Sequence, residues 1–213
     1  MSKLIIKKPN NDGGTKIIPT PELRTFDFGT TEGKKQTPEM NAKIHDKMIN
    51  HPDSPMADDG ESFNEAANRV MGKVKSIRVH APDNTAITTH NSAYGLIKYM
   101  EDQGLTDPKD LTPELRKGYT EQEKKNPTGS TFTLKGNSGD IHVFRHGQTV
   151  DNVAKKFRRS STKLTEQGKQ EAHDLGKKMN RTKIPEIYSS DLPRAIETSK
   201  IIASHQNMKK IKK

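Results

Sequence analysis

Ile141, Val143 and Phe144 form a short run of β-formers bounded by Gly139 and Gly147. A run this short, closed by glycine on both sides, predicts a buried strand that ends in a tight turn. Arg145 and His146 then stand at the C-terminal lip of that strand, the place where open α/β sheets put their ligands. Each residue there has a chemical use. A neutral imidazole is a good nucleophile toward phosphorus and divides phosphate transfer into two easier steps. A guanidinium beside it grips phosphate oxygens with paired donors, which a lysine cannot reproduce. Gly147 lets the backbone turn tightly against a bound anion.

The 213 residues are enough for one sizeable core, and with 29% hydrophobic and 30% charged residues that core is modest and carries long polar loops. Cysteine is absent, which excludes disulfide staples, thiol catalysis and Cys-based zinc sites. No apolar run approaches the roughly 20 residues of a membrane span, and the apolar block at Leu4-Ile5-Ile6 is too short for a signal peptide. A cytoplasmic protein is expected. The net charge of +10 raises the question of nucleic acid, but aromatics are only 5% and tryptophan is absent. No stacking platform is in view, so specific nucleic-acid binding is not expected. A basic surface that draws in anionic phosphate substrates is the expected use.

Along the chain, residues 1–16 read as an irregular lead-in and Lys16-Ile17-Ile18 as a short strand. Residues 41–48 suit a helix. Ser62 and Glu65 have capping-box spacing, and Phe63, Ala66, Ala67, Val70, Val74 and Ile77 then recur at helical spacing. Residues 84–90 read as a strand ending on His90, followed by a helix from about Ala93 with Gly104 as its C-cap. A short helix is expected over 113–119. Thr131-Phe132-Thr133-Leu134 is a strand, joined to the central one by the short loop 135–139, which predicts a hairpin. Leu164-Thr165-Glu166-Gln167-Gly168 opens a helix, Glu186-Ile187-Tyr188-Ser189 is a strand, and Pro193 suits a first helical position with Arg194 in the first turn.

Taken together, these stretches resemble the histidine phosphatase (phosphoglycerate mutase-like) superfamily, branch 1 type. Arg145-His146-Gly147 with Thr149 and Asn152 is similar to its opening motif. Leu164-Thr165-Glu166-Gln167-Gly168 is similar to its first helix start, and Ser190-Asp191-Leu192-Pro193-Arg194-Ala195 with Thr198 to its second arginine segment. Leu23-Arg24-Thr25-Phe26-Asp27-Phe28-Gly29 resembles a later segment in which glutamate is usual where Thr25 stands. Gly60-Glu61-Ser62 resembles the element that follows. Thr89-His90-Asn91 resembles the second histidine, with Asn91 where glycine is usual, which puts the shape of the pocket in doubt.

The order is rotated: the family's C-terminal half falls at 17–134 and its N-terminal half at 140–205. The expected architecture is therefore one circularly permuted three-layer α/β domain over 17–205, with a mostly parallel sheet, 135–139 as the joint and 206–213 as a basic tail. Close, exposed termini make such a rearrangement physically reasonable.

The resemblance implies a phosphomonoesterase acting on a small nucleotide or sugar phosphate. In that reading His146 becomes phosphohistidine, and Arg145, Arg194 and His90 hold the phosphoryl oxygens with Thr149 and Asn152 as lesser contacts. Glu61 protonates the leaving alcohol. No cofactor is implied. His142 and His146 lie four apart on a strand, where they do not stack as helical metal ligands would, so no metal is expected. A phosphoglycerate-type mutase and a spent phosphate- or phosphoprotein-binding protein are the alternatives; monomer or homodimer stays open.

Overall fold

The computed structural model describes residues 14–123, 125–157 and 159–206. The expected lead-in up to residue 13, the expected tail from 207 onward, and Arg158 of the basic loop lie outside these residues.

In chain order the elements are β1 (Lys16–Pro19), α1 (Pro38–Asn50), α2 (Phe63–His80), β2 (Thr85–Thr89), α3 (Asn91–Asp102), α4 (Pro113–Glu123), β3 (Thr131–Lys135), β4 (Asp140–Arg145), α5 (Val150–Val153), α6 (Glu166–Lys178), β5 (Glu186–Ser189) and α7 (Pro193–Gln206). Local chemistry explains most boundaries. Ser62 and Glu65 close the reciprocal capping box that starts α2, which satisfies two of the amides that a helix start leaves unbonded. Pro38 and Pro193 occupy first helical positions, where a missing N–H costs nothing. Gly104 carries a positive φ of 67° just beyond α3, the conformation a helix C-terminus asks of glycine. The expected helix over 113–119 runs on to Glu123.

Among the described residues the five strands make one sheet in the order β1-β5-β2-β4-β3. The pairs β1–β5, β5–β2 and β2–β4 are parallel. Only β3, on the edge, runs antiparallel to β4, as the short loop between them requires. Strand alternation sorts the core onto the two faces. Ile87, Ile141, Val143 and Leu134 join α2 and α3 in the larger cluster. Ala86, Phe144 and Ile187 meet Leu175 of α6 and Ile202 of α7 in the smaller one. The sheet is thus buried on both sides, and the fold is the three-layer, mostly parallel α/β architecture that the resemblance implied. No helix among the described residues is long and apolar enough to cross a membrane.

Candidate active site

The site forms where three neighbouring parallel strands end. Thr89 of β2 is level with Arg145 of β4, and Thr88 with Ser189 of β5. Ladder bonding continues one residue further: the His146 amide donates to the Thr89 carbonyl at 3.0 Å and the Ser190 amide to Thr88 at 2.9 Å. That register brings His90, His146 and Ser190 to one edge, although they are far apart in the chain. Both imidazoles are fully buried, and their ring centroids are 5.0 Å apart in an edge-on arrangement.

The hydrogen bonds settle the tautomers. His146 Nδ1 lies 2.7 Å from the carbonyl oxygen of Gly147. A carbonyl can only accept, so Nδ1 carries the hydrogen and the ring's lone pair belongs to Nε2. For His90 the logic runs the other way. Arg194 Nε, which can only donate, is 3.1 Å from His90 Nδ1. His90 therefore holds its hydrogen on Nε2 and directs it at Ser190 Oγ, 2.7 Å away.

Both arginines are anchored by main chain. Arg194, fully buried in the first turn of α7, donates from one terminal nitrogen to the Arg159 carbonyl at 3.1 Å. The loop that offers this carbonyl is tied down by Asp151, whose buried carboxylate accepts from the Arg159 amide and guanidinium at 2.8–3.3 Å. Burial pushes the Asp151 carboxyl up, but the Arg159 bonds outweigh it and hold it below its ordinary range. Arg145 donates to the carbonyl of Asn126 in the segment beyond α4. Beside it, burial pushes the Tyr94 hydroxyl up to about 12, against the opposing pull of Ser130 and the Arg145 charge.

Thr149 and Asn152 engage each other. The Thr149 hydroxyl caps the short helix α5, and Asn152 Oδ1 accepts from the Thr149 amide and hydroxyl at 3.0 and 2.9 Å. Gly147 answers to packing as well as to turning: a Cβ there would strike the carbonyl of Gly168 at the start of α6, and one on Gly168 would strike the backbone of Gln148.

Glu61 sits at the foot of α2. Its Oε1 accepts from Arg69 at 2.6 Å and from the Asp27 amide at 2.8 Å, and its Oε2 accepts from Arg69 Nε at 3.2 Å. The same guanidinium reaches the carbonyls of Glu22, Arg24 and Thr25. Arg69 thereby ties Glu61 to the segment that carries Thr25.

At Asn91 and Ser92, the two residues that follow His90 in the chain, opens a cavity of about 290 Å³; His90, His146, Arg145 and Arg194 are not among its lining residues. Thr25, Asn91, Ser92 and Glu123 are among its lining residues, together with Phe28, Phe157 and His45, while Glu61 is not. Among the described residues no group of three or more His, Asp or Glu side chains is arranged to hold a metal ion.

The family model of the histidine phosphatase superfamily (branch 1) matches residues 5–114 and 141–213, most of the chain. The chain belongs to the histidine phosphatase superfamily. Curated relatives include a probable phosphoglycerate mutase GpmB of Erwinia tasmaniensis, 36% identical over 64 residues, 30% of each chain. Phosphoglycerate mutase-like protein 4 of Arabidopsis thaliana is 39% identical over 67 residues, 30% of this chain and 29% of that one. A probable phosphoglycerate mutase GpmB of Yersinia pestis is 39% identical over 64 residues, again 30% of each. The matched part thus spans about 30% of the length of these relatives. No solved structure gives a significant match.

Within this histidine phosphatase fold, sequence reasoning missed the residues that hold the named ones. Ser190 stands out in the sequence only as part of a motif, yet it accepts from His90. Asp151 stands between Thr149 and Asn152, and nothing in its spacing from Arg159 distinguishes it from a surface acid. Asn126 acts through its main chain, so its side-chain type carries no signal. Glu123 had one trace in the sequence: the departure at Asn91, whose added amide is what reaches it.

Proposed function

We propose that this chain hydrolyses a small phosphate monoester, of nucleotide or sugar phosphate type, through a phosphohistidine on His146. The observation that carries the reading is the Nδ1-to-Gly147 bond. It keeps the His146 lone pair on Nε2, so the ring needs no tautomer change before attacking phosphorus. Arg145, Arg194 and His90 hold the phosphoryl oxygens as charge redistributes, with Thr149 and Asn152 as supporting contacts. Donors already anchored by main chain cost little reorganisation when the transition state forms.

Glu61 enters as the carboxylate that the resemblance nominates for protonating the leaving alcohol. The guanidinium of Arg69 across both its oxygens supports a part in holding the Thr25 segment instead. The rotated order of the motifs, with 17–134 and 140–205 as exchanged halves of one domain joined at 135–139, belongs to the same reading. A family match that falls into two stretches on either side of that joint supports it.

The names of these curated relatives favour a second reading, a mutase. It uses the same phosphohistidine but returns the phosphoryl group to an organic acceptor, so the intermediate must outlast the exchange of product. The test is hydrolysis of p-nitrophenyl phosphate with chelator present, wild type beside His146→Ala. Chelator-resistant turnover and an acid-labile phosphoprotein, both lost in the variant, are the expected result. Turnover that survives in His146→Ala removes the nucleophile assignment. A labelled phosphoenzyme that waits for an added phosphate acceptor, rather than water, favours the mutase.

A further inference from the structure

Phosphoryl transfer to His146 leaves a negative oxygen on the departing alcohol, and some acid must meet it. We infer that the Glu123 carboxyl, held by Asn91 at the end of α4, gives the leaving oxygen its proton. This rests on the phosphohistidine reading above and names a catalytic residue for it.

Four observations converge on Glu123. Among the described lining residues of the 290 Å³ cavity that opens at Asn91 and Ser92 it is the only carboxylate. Thr25 contributes only a hydroxyl, bonded at 3.0 Å to Ser92 Oγ. Second, Asn91, the residue directly after His90, donates through Nδ2 to Glu123 Oε1 at 3.0 Å and also to the Glu123 carbonyl at 3.3 Å. One amide thus fixes both the side chain and the helix end that bears it. Third, the segment that leaves Glu123 presents the Asn126 carbonyl to Arg145, so one short stretch of chain sets both the carboxyl and the arginine that grips phosphate. Fourth, Glu123 reaches inward: burial holds the Tyr119 hydroxyl well above its ordinary value, and the nearby Glu123 carboxylate adds to that rise.

The partner chemistry separates Glu123 from Glu61. Both oxygens of Glu61 are already engaged by Arg69 and the Asp27 amide, and Glu61 does not line the cavity, whereas Glu123 does. A neutral amide can donate to the carbonyl oxygen of a carboxylic acid as well as to a carboxylate, so the Asn91 contact is available to Glu123 in either protonation state. The steps balance. The His146 Nε2 lone pair forms the bond to phosphorus as the P–O bond to the alcohol breaks. Its electron pair stays on the alcohol oxygen, which takes the Glu123 proton. Water then attacks the phosphohistidine, the Glu123 carboxylate takes a proton from that water, and phosphate leaves with the His146 lone pair restored.

The experiment compares kcat/KM of the full chain on p-nitrophenyl phosphate, whose leaving group needs no proton, and on glycerol phosphate, whose alkoxide does. Glu123→Gln is expected to lose roughly 10²- to 10⁴-fold on glycerol phosphate, the usual worth of a positioned acid, and far less on p-nitrophenyl phosphate. Glu123→Asp recovers part of that loss, and Asn91→Ala shows a smaller loss with the same leaving-group selectivity. Equal losses on both esters, no loss, or a selective loss seen instead in Glu61→Gln or His45→Gln would overturn the assignment. Absence of an acid-labile phosphoenzyme in wild type removes the underlying reading itself, a result distinct from each of these.

Discussion

Arg194 donates through Nε to His90 Nδ1 at 3.1 Å, and this single bond decides which side of the His90 ring carries hydrogen. It forces Nε2–H toward Ser190 Oγ at 2.7 Å, so an arginine on α7, a histidine after β2 and a serine after β5 form one connected set. Arg194→Lys keeps the charge but loses the planar fork that serves His90 and the Arg159 carbonyl together. The expected outcome is a fall in kcat/KM on p-nitrophenyl phosphate of about 10²-fold or more. Ser190→Ala leaves a buried N–H without its acceptor and should cost about 1–3 kcal/mol, read as a lowered denaturant midpoint.

Asp151 and Arg159 form an ion pair in which the carboxylate is buried and the guanidinium half exposed. Its work is to hold the loop whose carbonyl receives Arg194. Asp151→Ala should therefore lower stability by about 1–3 kcal/mol, less than a fully buried pair would because solvent reaches the arginine, and should weaken phosphate inhibition of the enzyme. The pH dependence follows from the depressed Asp151 carboxyl. Its contribution is complete above the ordinary aspartate value near 4 and is lost as pH falls through the lower folded value. Acid unfolding of Asp151→Ala should accordingly show a smaller proton uptake over that window.

Gly147 and Gly168 meet with no room for a side chain on either. Gly168→Ala puts a methyl against the main chain of Gln148, which cannot swing aside as a flexible side chain would. The expected cost is about 1–3 kcal/mol or more, measured as a drop in Tm. The same shift displaces the turn that holds the His146 Nδ1 bond, so turnover should fall more steeply than stability alone accounts for.

His173 and His205 face each other between α6 and α7, Nδ1 to Nε2 at 3.0 Å. Burial first, then the charges of His173 and Lys177, holds His205 below its ordinary value. A histidine depressed in the fold binds its proton more readily once unfolded, so stability rises with pH between the folded value and about 6.5. Thermal melts between about pH 5 and pH 7 should show that rise, at no more than about 1.4 kcal/mol per pH unit for one proton. His205→Leu should flatten it.

Much of the architecture could be read before any coordinates. The capping box at Ser62 and Glu65 and the proline start at Pro193 involve residues a few positions apart. The β3–β4 hairpin needs only a short glycine-containing loop. The partners of the charged groups could not be read in this way. Glu61 stood out by its motif, but its choice of Arg69 depends on how the 22–27 segment folds over α2. Glu123 closed a helix expected to end sooner, and only the packing of α4 beside α3 turns it toward Asn91.

The chain's local chemistry was sufficient for the strands, the helices and the residue types able to handle phosphate, because periodicity, caps and turn residues act over one or two turns of backbone. Which nitrogen of His146 holds the lone pair, which side of His90 faces Ser190, and which carboxylate reaches the cavity were left to the assembled sheet. The first two outcomes depend on the parallel register of β2, β4 and β5, and the third on the packing of α4 beside α3. Burial of both sheet faces selects that register, since a slip by one residue would turn every apolar side chain away from its cluster.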